Sequence, residues 1–362
     1  MKQDTNPHSK PGNTDSITGG DRKKLCWAGL SLIIAGLSIW AVTSQWKNFS
    51  LGAFLDYVSQ ADLRWIIAAV LAMLGFVFFE GCALRSACRA LHYPTTVKSG
   101  FGYAAADIYF SAITPSASGG QPACAFLMMR DGLPGIVTTA VLLVTLSMYT
   151  LSILVIGLVC VVFKSDVLLI FETPSRILIA LGFAVQLALV IFLLMLVKTE
   201  WLLERLCWGT IHLLARLHIV RHEAERQQKL ADTMEEYRRC LGLLSNHPGL
   251  VLHSFIFNLL QRVSQISVTA LVYLAMGGSV RTAPSIFAMQ SFVVLGSNSV
   301  PVPGAMGVAD YMMLDGFKAF LGPDQVVGME LLSRSVSFYS CVLMCGLIVL
   351  FLTYFKRRVR GQ

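Results

Sequence analysis

Charged residues are scarce in this sequence. Asp, Glu, Lys and Arg make up 14% of the 362 residues, whereas soluble domains carry about 25%. Hydrophobic residues make up 55%, and the mean hydropathy is +0.64. This composition excludes an ordinary soluble globular protein and indicates a chain surrounded largely by lipid.

The sequence patterns of several enzyme classes are also absent. There is no HExxH, GxSxG or Walker A pattern and no Cys/His spacing of a zinc site. The nine cysteines form no CxxC pair, and most lie in apolar segments, where we expect them to pack as small apolar residues. We therefore predict no catalytic residue, no metal and no cofactor in this chain.

Long apolar segments are abundant. Four contain no charged residue and two contain one or two: residues 25–46, 136–163, 177–197 and 335–355, and residues 65–84 and 249–276. About 20 apolar residues span a bilayer as a helix, so the sequence predicts about six full spans. The first segment is too long for the apolar part of a secretory signal and has no small-residue cleavage site, so we expect it to be retained.

The sequence has a net charge of +8, and clusters of basic residues lie at the two ends of the apolar region. Basic residues precede the first span, at 22–24, and follow the last, at 356–360. Lys and Arg accumulate on the cytoplasmic flanks of membrane helices. We therefore predict a multi-pass protein with both termini in the cytoplasm, and we assign the basic charge to topology and not to nucleic-acid binding.

Two polar regions define the domain organisation. Residues 1–21 are rich in Pro, Ser, Thr and Gly and are predicted to form a disordered cytoplasmic tail. Residues 22–362 form the transmembrane domain. Within it, residues 198–248 carry eight Lys/Arg and seven Asp/Glu, which predicts a cytoplasmic insertion of amphipathic and charged helix.

Two apolar stretches are interrupted by Pro and Gly. Residues 98–130 are broken at 114–122, and residues 284–321 are broken at 299–307. Each half of the first stretch extends only about 20 Å as a helix, too short for a bilayer. Instead of two kinked spans, we predict two re-entrant hairpins inserted from opposite faces. The predicted fold is an all-α polytopic membrane protein in an inverted-repeat arrangement.

Charged residues inside apolar segments are candidates for a binding site. Asp107 and Asp310 lie near the two breaks, and Arg262 lies in the middle of a predicted span. Such charges cost several kcal/mol and indicate function by default. The alternative for Arg262 is an ion pair with a carboxylate that only locks helices together.

Other charged side chains have structural interpretations. We expect Glu80 to reach the inner interface beside Arg85, and we expect Glu330 and Arg334, four residues apart, to form a helix-surface pair. The backbone of the two breaks is a further candidate. Half-helix N-termini near residues 119–121 and 304–307 would present N–H groups to an anionic phosphate.

Two motifs resemble those of a known family. Residues 113–122 (ITPSASGGQP), followed by residues 129–132 (MRDG), resemble the first signature of the lysylphosphatidylglycerol synthetase transmembrane family, a flippase-like domain. Residues 301–308 (PVPGAMGV) with Asp310 are similar to the second, PxPGGxGxxE. The resemblance covers nearly all of the chain after residue 24.

The resemblance implies a function in the bacterial plasma membrane. Larger members join this domain to a cytosolic domain that transfers lysine from lysyl-tRNA to phosphatidylglycerol. Their membrane domain moves the product to the outer leaflet, which lowers the negative surface charge and gives resistance to cationic peptides. We expect this chain to be the stand-alone membrane domain, translocating an aminoacylated phospholipid such as lysyl-phosphatidylglycerol.

The candidate substrate-binding residues come from the motifs and the buried charges. They are Asp107, Thr114, Pro115, Gly119, Gly120, Gln121, Arg130, Arg262, Pro303, Gly304, Gly307 and Asp310. The chain departs from the family pattern at Asp310, where Glu is common, and at residues 121–124, where charged residues are common. These departures leave the identity of the headgroup open.

Two alternatives remain from the sequence. One is phosphatidylglycerol lysyltransferase activity that needs a separate catalytic subunit, and the other is transport of a small solute or ion. A membrane phospholipid is the expected partner, and nucleic acid is not. A separate lipid-modifying enzyme and a second copy of the chain are left open as protein partners.

Overall fold

The computed structural model describes residues 59–114, 117–198, 205, 235–240, 242–243, 247–300 and 307–359. Most of these residues are helical, and the described residues contain no strand. The helices are α1 (Leu63–Ala90), α2 (Val97–Ile113), α3 (Gly120–Arg130), α4 (Gly135–Phe163), α5 (Ser165–Ile170), α6 (Thr173–Lys198), α7 (Pro248–Ala275), α8 (Ala283–Ser297), α9 (Val308–Phe317), α10 (Pro323–Arg334) and α11 (Ser340–Val359).

Five segments of the described chain are long and apolar enough to cross a bilayer. They are Leu63–Ala90, Gly135–Phe163, Thr173–Leu196, Pro248–Ala275 and Gln325–Leu352. The 28 residues of α1 extend about 42 Å, more than the ~30 Å of a bilayer core. The all-α polytopic class is confirmed, and these segments correspond to five of the six predicted spans.

Some predictions fall outside the described residues. They concern the span at 25–46, the tail at 1–21 and most of the insertion at 198–248. From the end of that insertion, residues 235–240 are helical. Tyr237 there is buried and donates a hydrogen bond to the Leu196 carbonyl at 3.2 Å, so this part of the insertion packs against the end of α6.

Both predicted breaks separate pairs of short helices. α2 and α3 have 17 and 11 residues, and α8 and α9 have 15 and 10. The two helices of each pair pack against each other. The breaks therefore occur where the sequence places them, while insertion of the two hairpins into the membrane stays a prediction.

The helices recur in the same order in two halves of the chain. Corresponding helices begin 185 to 188 residues apart: Leu63 and Pro248, Val97 and Ala283, Gly120 and Val308, Gly135 and Pro323. Each half consists of a long helix, a broken pair and a second long helical segment. This order is the one expected of two structural repeats.

The equivalent helices α1 and α7 pack along each other in opposite directions. The Asp62 N–H donates to the Ala275 carbonyl at 2.8 Å at one end, and the Ser86 hydroxyl donates to the Leu250 carbonyl at 3.0 Å at the other. The midpoint of the contact lies where Arg262 meets the Phe76 ring, 5.5 Å from its centroid. Antiparallel packing of two corresponding helices is the arrangement expected between inverted repeats, and Arg262 lies near its midpoint.

The last predicted span contains an irregularity. α10 and α11 are joined by a π-helical turn at Ser335–Tyr339. Turns of this kind inside α-helices are frequent at functional sites. This turn follows directly after Arg334, the last residue of α10.

Candidate functional site

Polar side chains meet in the bundle where α1, α2, α3, α4 and α7 come together. We call this set the central cluster, and its members are Glu80, Asp107, Gln121, Tyr149, Gln261, Arg262 and Gln265. Glu80, Gln261 and Arg262 are 6%, 1% and 4% exposed. Because buried polar groups need partners, this concentration in an apolar core indicates a built site.

Two carboxyl groups form the acidic side of the central cluster. The carboxyl group of Glu80 on α1 lies beside that of Asp107 on α2, near enough for the two groups to interact. Gln261 Nε2 donates to Glu80 Oε2 at 2.7 Å, and Gln121 Nε2 donates to Asp107 Oδ2 at 3.0 Å. Amide groups from α3 and α7 therefore hold the two carboxyl groups in place.

The expectation for Glu80 is wrong. Its side chain is buried instead of reaching the interface. Arg85, its expected neighbour there, instead donates from Nε to the Thr95 carbonyl at 2.9 Å. α1 crosses α2 so closely that a Cβ on Gly100 would lie 2.7 Å from the Gly81 carbonyl oxygen. This small-residue contact lies beside Glu80 and brings it to Asp107.

Arg262 supplies the positive charge of the central cluster. Its guanidinium lies 3.8 Å from the centroid of the Tyr149 ring, and its Nη1 donates to Gln265 Oε1. Its Nε is buried without a hydrogen-bond partner. Among the described residues, no carboxylate lies within 4.0 Å of it. The helix-locking ion pair is not formed there, and the guanidinium has donor capacity for an anion.

The turn between α2 and α3 is shaped around Asp107. The Gly119 N–H donates to Thr114 Oγ1 at 2.8 Å. A Cβ on Gly120 would overlap Asp107 Oδ1 and Ser111 Oγ. The N-terminus of α3, proposed from the sequence as a phosphate site, therefore lies against a carboxyl of the chain itself, an arrangement that the helix dipole favours.

A second cluster joins α9 to α10. Asp310 Oδ2 accepts from the Gly307 N–H at 2.8 Å, and Asp310 Oδ1 accepts from Arg334 Nε at 2.5 Å. Glu330 Oε1 lies 3.9 Å from the same Nε. The predicted pair of Glu330 and Arg334 is confirmed, but Arg334 has a closer partner in Asp310.

The family described as lysylphosphatidylglycerol synthase TM region matches residues 27–345. The chain belongs to this family. The match includes both clusters and both broken helix pairs, so the resemblance of the two motifs is confirmed. No curated protein matches the chain.

The family motifs supply only part of the central cluster. Of the predicted residues, the structure brings together Asp107, Thr114, Gly119, Gly120, Gln121 and Arg262. Gly307 and Asp310 lie in the second cluster. Arg130 ends α3, about 14 Å along the helix from Gln121, with its Nε 4.0 Å from Asp131. Pro115, Pro303 and Gly304 lie outside the described residues.

Sequence reasoning missed four members of the central cluster: Glu80, Tyr149, Gln261 and Gln265. A signal for two of them was present in α7. Asn258, Gln261 and Gln265 follow one another at intervals of three and four residues in α7. Their side chains therefore lie on one face of the helix. That polar stripe adjoins Arg262 and points to a buried site.

Proposed function

We propose that this protein moves an aminoacylated phospholipid, such as lysyl-phosphatidylglycerol, between the leaflets of the bacterial plasma membrane. The family description supports the lipid class, because it names a lysylphosphatidylglycerol synthase. The proposal rests above all on Arg262, a buried arginine with an unpartnered Nε and no carboxylate within 4.0 Å among the described residues.

The phosphodiester of the lipid is assigned to Arg262. A buried donor without a partner costs about 1–3 kcal/mol, and more when it is charged. A phosphate oxygen at Nε would supply the missing acceptor and the missing counter-charge. Tyr149 and Gln265 hold the guanidinium from other directions, which leaves Nε for the ligand.

The amine of the headgroup is assigned to Asp107 and Glu80. With both carboxyl groups ionised, they would exceed the single positive charge of Arg262 by one. A headgroup with an ammonium and a phosphate would complete both sides of the cluster. Asp310, another of the candidate substrate-binding residues, is engaged by Arg334 and by the Gly307 N–H, so we assign it to holding α9 against α10.

The wider consequences follow from the substrate. Outward movement of a lysylated lipid would lower the negative charge of the outer surface and protect the cell from cationic peptides. The lysine must be attached by a lysyltransferase, which we expect to act from the cytoplasmic side. Both termini of this chain would lie on that same side.

Leaflet translocation in proteoliposomes tests the proposal. Fluorescent phosphatidylglycerol, lysyl-phosphatidylglycerol and a glycolipid are compared with and without protein, by chemical quenching of the label in the outer leaflet. We expect protein-dependent movement of the lysylated lipid to be the fastest. If the folded protein moves none of these lipids, transport of a small solute becomes the better explanation. Lysyl-tRNA-dependent product from this protein alone would instead establish lysyltransferase activity.

Arg262→Gln tests the phosphate assignment. Removing a charged hydrogen bond to a ligand costs about 1.5–3 kcal/mol, so lysylated-lipid movement should slow by roughly ten- to a hundredfold. The matched control is Arg281→Gln, because Arg281 is exposed in the segment between α7 and α8. Equal rates in wild type and Arg262→Gln would overturn the assignment.

A further inference from the structure

The Glu80–Asp107 pair contains fewer hydrogen-bond donors than its oxygens require. Asp107 accepts at both oxygens, from Gln121 at Oδ2 and from Ser111 at Oδ1. Glu80 accepts from Gln261 at Oε2. Ionised carboxylates only accept hydrogen bonds, so these two neighbouring carboxyl groups can hydrogen-bond to each other only when one of them carries a proton. Glu80 Oε1 is the oxygen left to hold it.

Neighbouring groups do not remove this need. The charged and titratable side chains facing the pair are Arg262 from α7, Tyr149 from α4, Cys124 from α3 and Cys345 from α11. Among the residues that the structure describes, only Arg262 is a cation facing the pair, and it forms no ion pair with either carboxyl. Two adjacent carboxylates near one positive charge repel each other, and this repulsion favours a shared proton.

Two further groups of the cluster also lack partners that a ligand could supply. Arg262 Nε and Gln261 Oε1 are both buried without partners, on side chains more than nine-tenths buried. Oε1 of Gln261 accepts and Nε of Arg262 donates. The cluster therefore lacks a donor for Gln261 Oε1 and an acceptor for Arg262 Nε. A proton or an ammonium group would supply the missing donor.

We propose that the Glu80–Asp107 pair exchanges one proton for the ammonium of the lipid headgroup, so that lipid translocation is coupled to proton movement in the opposite direction. This inference rests on the proposed function. The proton and the ammonium compete for the same two carboxyl groups, because both satisfy the same excess negative charge.

The exchange balances in atoms and in charge, because a lysylated headgroup with two ammonium groups and one phosphate carries the same net single positive charge as the proton that it replaces. When the headgroup enters, N–H···O hydrogen bonds form from the ammonium to both carboxylates. The O–H bond of Glu80 breaks, and its proton leaves to water on the side from which the lipid came. On the other side the ammonium departs, and a proton taken from water there re-forms the O–H bond.

The first measurement uses the wild-type protein. Proteoliposomes containing labelled lysyl-phosphatidylglycerol are given a pH gradient, with the membrane potential held at zero by potassium and valinomycin. We expect the lipid to accumulate in the leaflet facing the acidic side, approaching about tenfold per pH unit for one-to-one exchange. A protonophore should abolish the accumulation, and protein-free liposomes should show none.

The outcomes separate the two proposals. Equal lipid distribution between leaflets despite the gradient, with movement still dependent on protein, overturns proton exchange and leaves the flippase intact. No lipid movement at all overturns both. Accumulation that follows a sodium gradient, and not a pH gradient, overturns the proton assignment.

Glu80→Gln locates the exchange. This variant cannot release a proton, so we expect gradient-driven accumulation to be lost. Accumulation equal to wild type would overturn the assignment. Asp107→Asn provides the same test if Glu80→Gln does not fold, and Glu172→Gln is the control, because Glu172 is exposed and paired with Lys318 at 3.2 Å.

Discussion

At the scale of single residues, the central cluster is held mainly by uncharged groups. Amides of Gln121 and Gln261 hold the two carboxyl groups, and an aromatic ring and another amide hold Arg262. A buried ion pair would neutralise these charges within the protein. Amides and rings orient them without neutralising them, which keeps the charges available to a ligand that carries groups of both signs.

Tyr149 provides a residue-scale prediction. A cation–π contact in a desolvated site is worth about 2 kcal/mol, so Tyr149→Leu should weaken lipid binding by roughly thirtyfold. Tyr149→Phe keeps the ring under the guanidinium and should be affected much less. The concentration of lysyl-phosphatidylglycerol needed for half-maximal translocation measures both. Equal effects of the two substitutions would contradict a role of the ring.

At the scale of elements, the α2–α3 turn determines where Asp107 lies. Thr114 holds the turn through the Gly119 N–H, and Ala117 adopts a left-handed backbone conformation with φ 53°. Gly120 starts α3 in direct contact with Asp107. The turn therefore carries local strain and a close approach at the same point, as ligand sites often do.

Gly120→Ala tests this geometry. The added methyl group would overlap Asp107 and Ser111, and overpacking of this kind costs about 1–3 kcal/mol. We expect a lower melting temperature in detergent and loss of lipid movement. Gly135→Ala is the control, because its nearest neighbour would be the Met129 sulfur at 3.6 Å. Wild-type stability of Gly120→Ala would contradict the close approach.

At the scale of the whole molecule, the two halves meet at the antiparallel helices α1 and α7. Arg262 lies near the midpoint of this contact, and each half contributes one broken helix pair. We expect a site near this midpoint to become accessible in turn to either side when the halves move against each other, as in transporters built from inverted repeats.

Cysteine labelling tests the insertion of the hairpins from opposite faces. Tyr93 lies between α1 and α2, and Lys318 follows α9; both are exposed. We expect a membrane-impermeant maleimide to label Lys318→Cys in intact cells and Tyr93→Cys only after lysis. The unsubstituted protein measures background from native cysteines. Labelling of both sites from the same side would contradict the inverted topology.

Much of this architecture is determined by local sequence. Apolar length alone predicts the long helices, because a bilayer leaves a chain no other way to satisfy its backbone. The Pro/Gly breaks appear where the two motifs stand, because those residues disfavour a continuous helix. Asp107 and Arg262 were identifiable as candidate site residues because a charge in an apolar segment is costly wherever it lies.

The pairing of those charges was decided only by the tertiary structure. Glu80 accepts a hydrogen bond from Gln261, which lies 181 positions away in the sequence. Asp310 pairs with Arg334, although the sequence had indicated it as a candidate substrate-binding residue. Local patterns specify which side chains need partners, since that need depends on burial and charge alone. Which partner each one receives depends on how the helices cross, here through the Gly81–Gly100 contact and the antiparallel packing of α1 and α7.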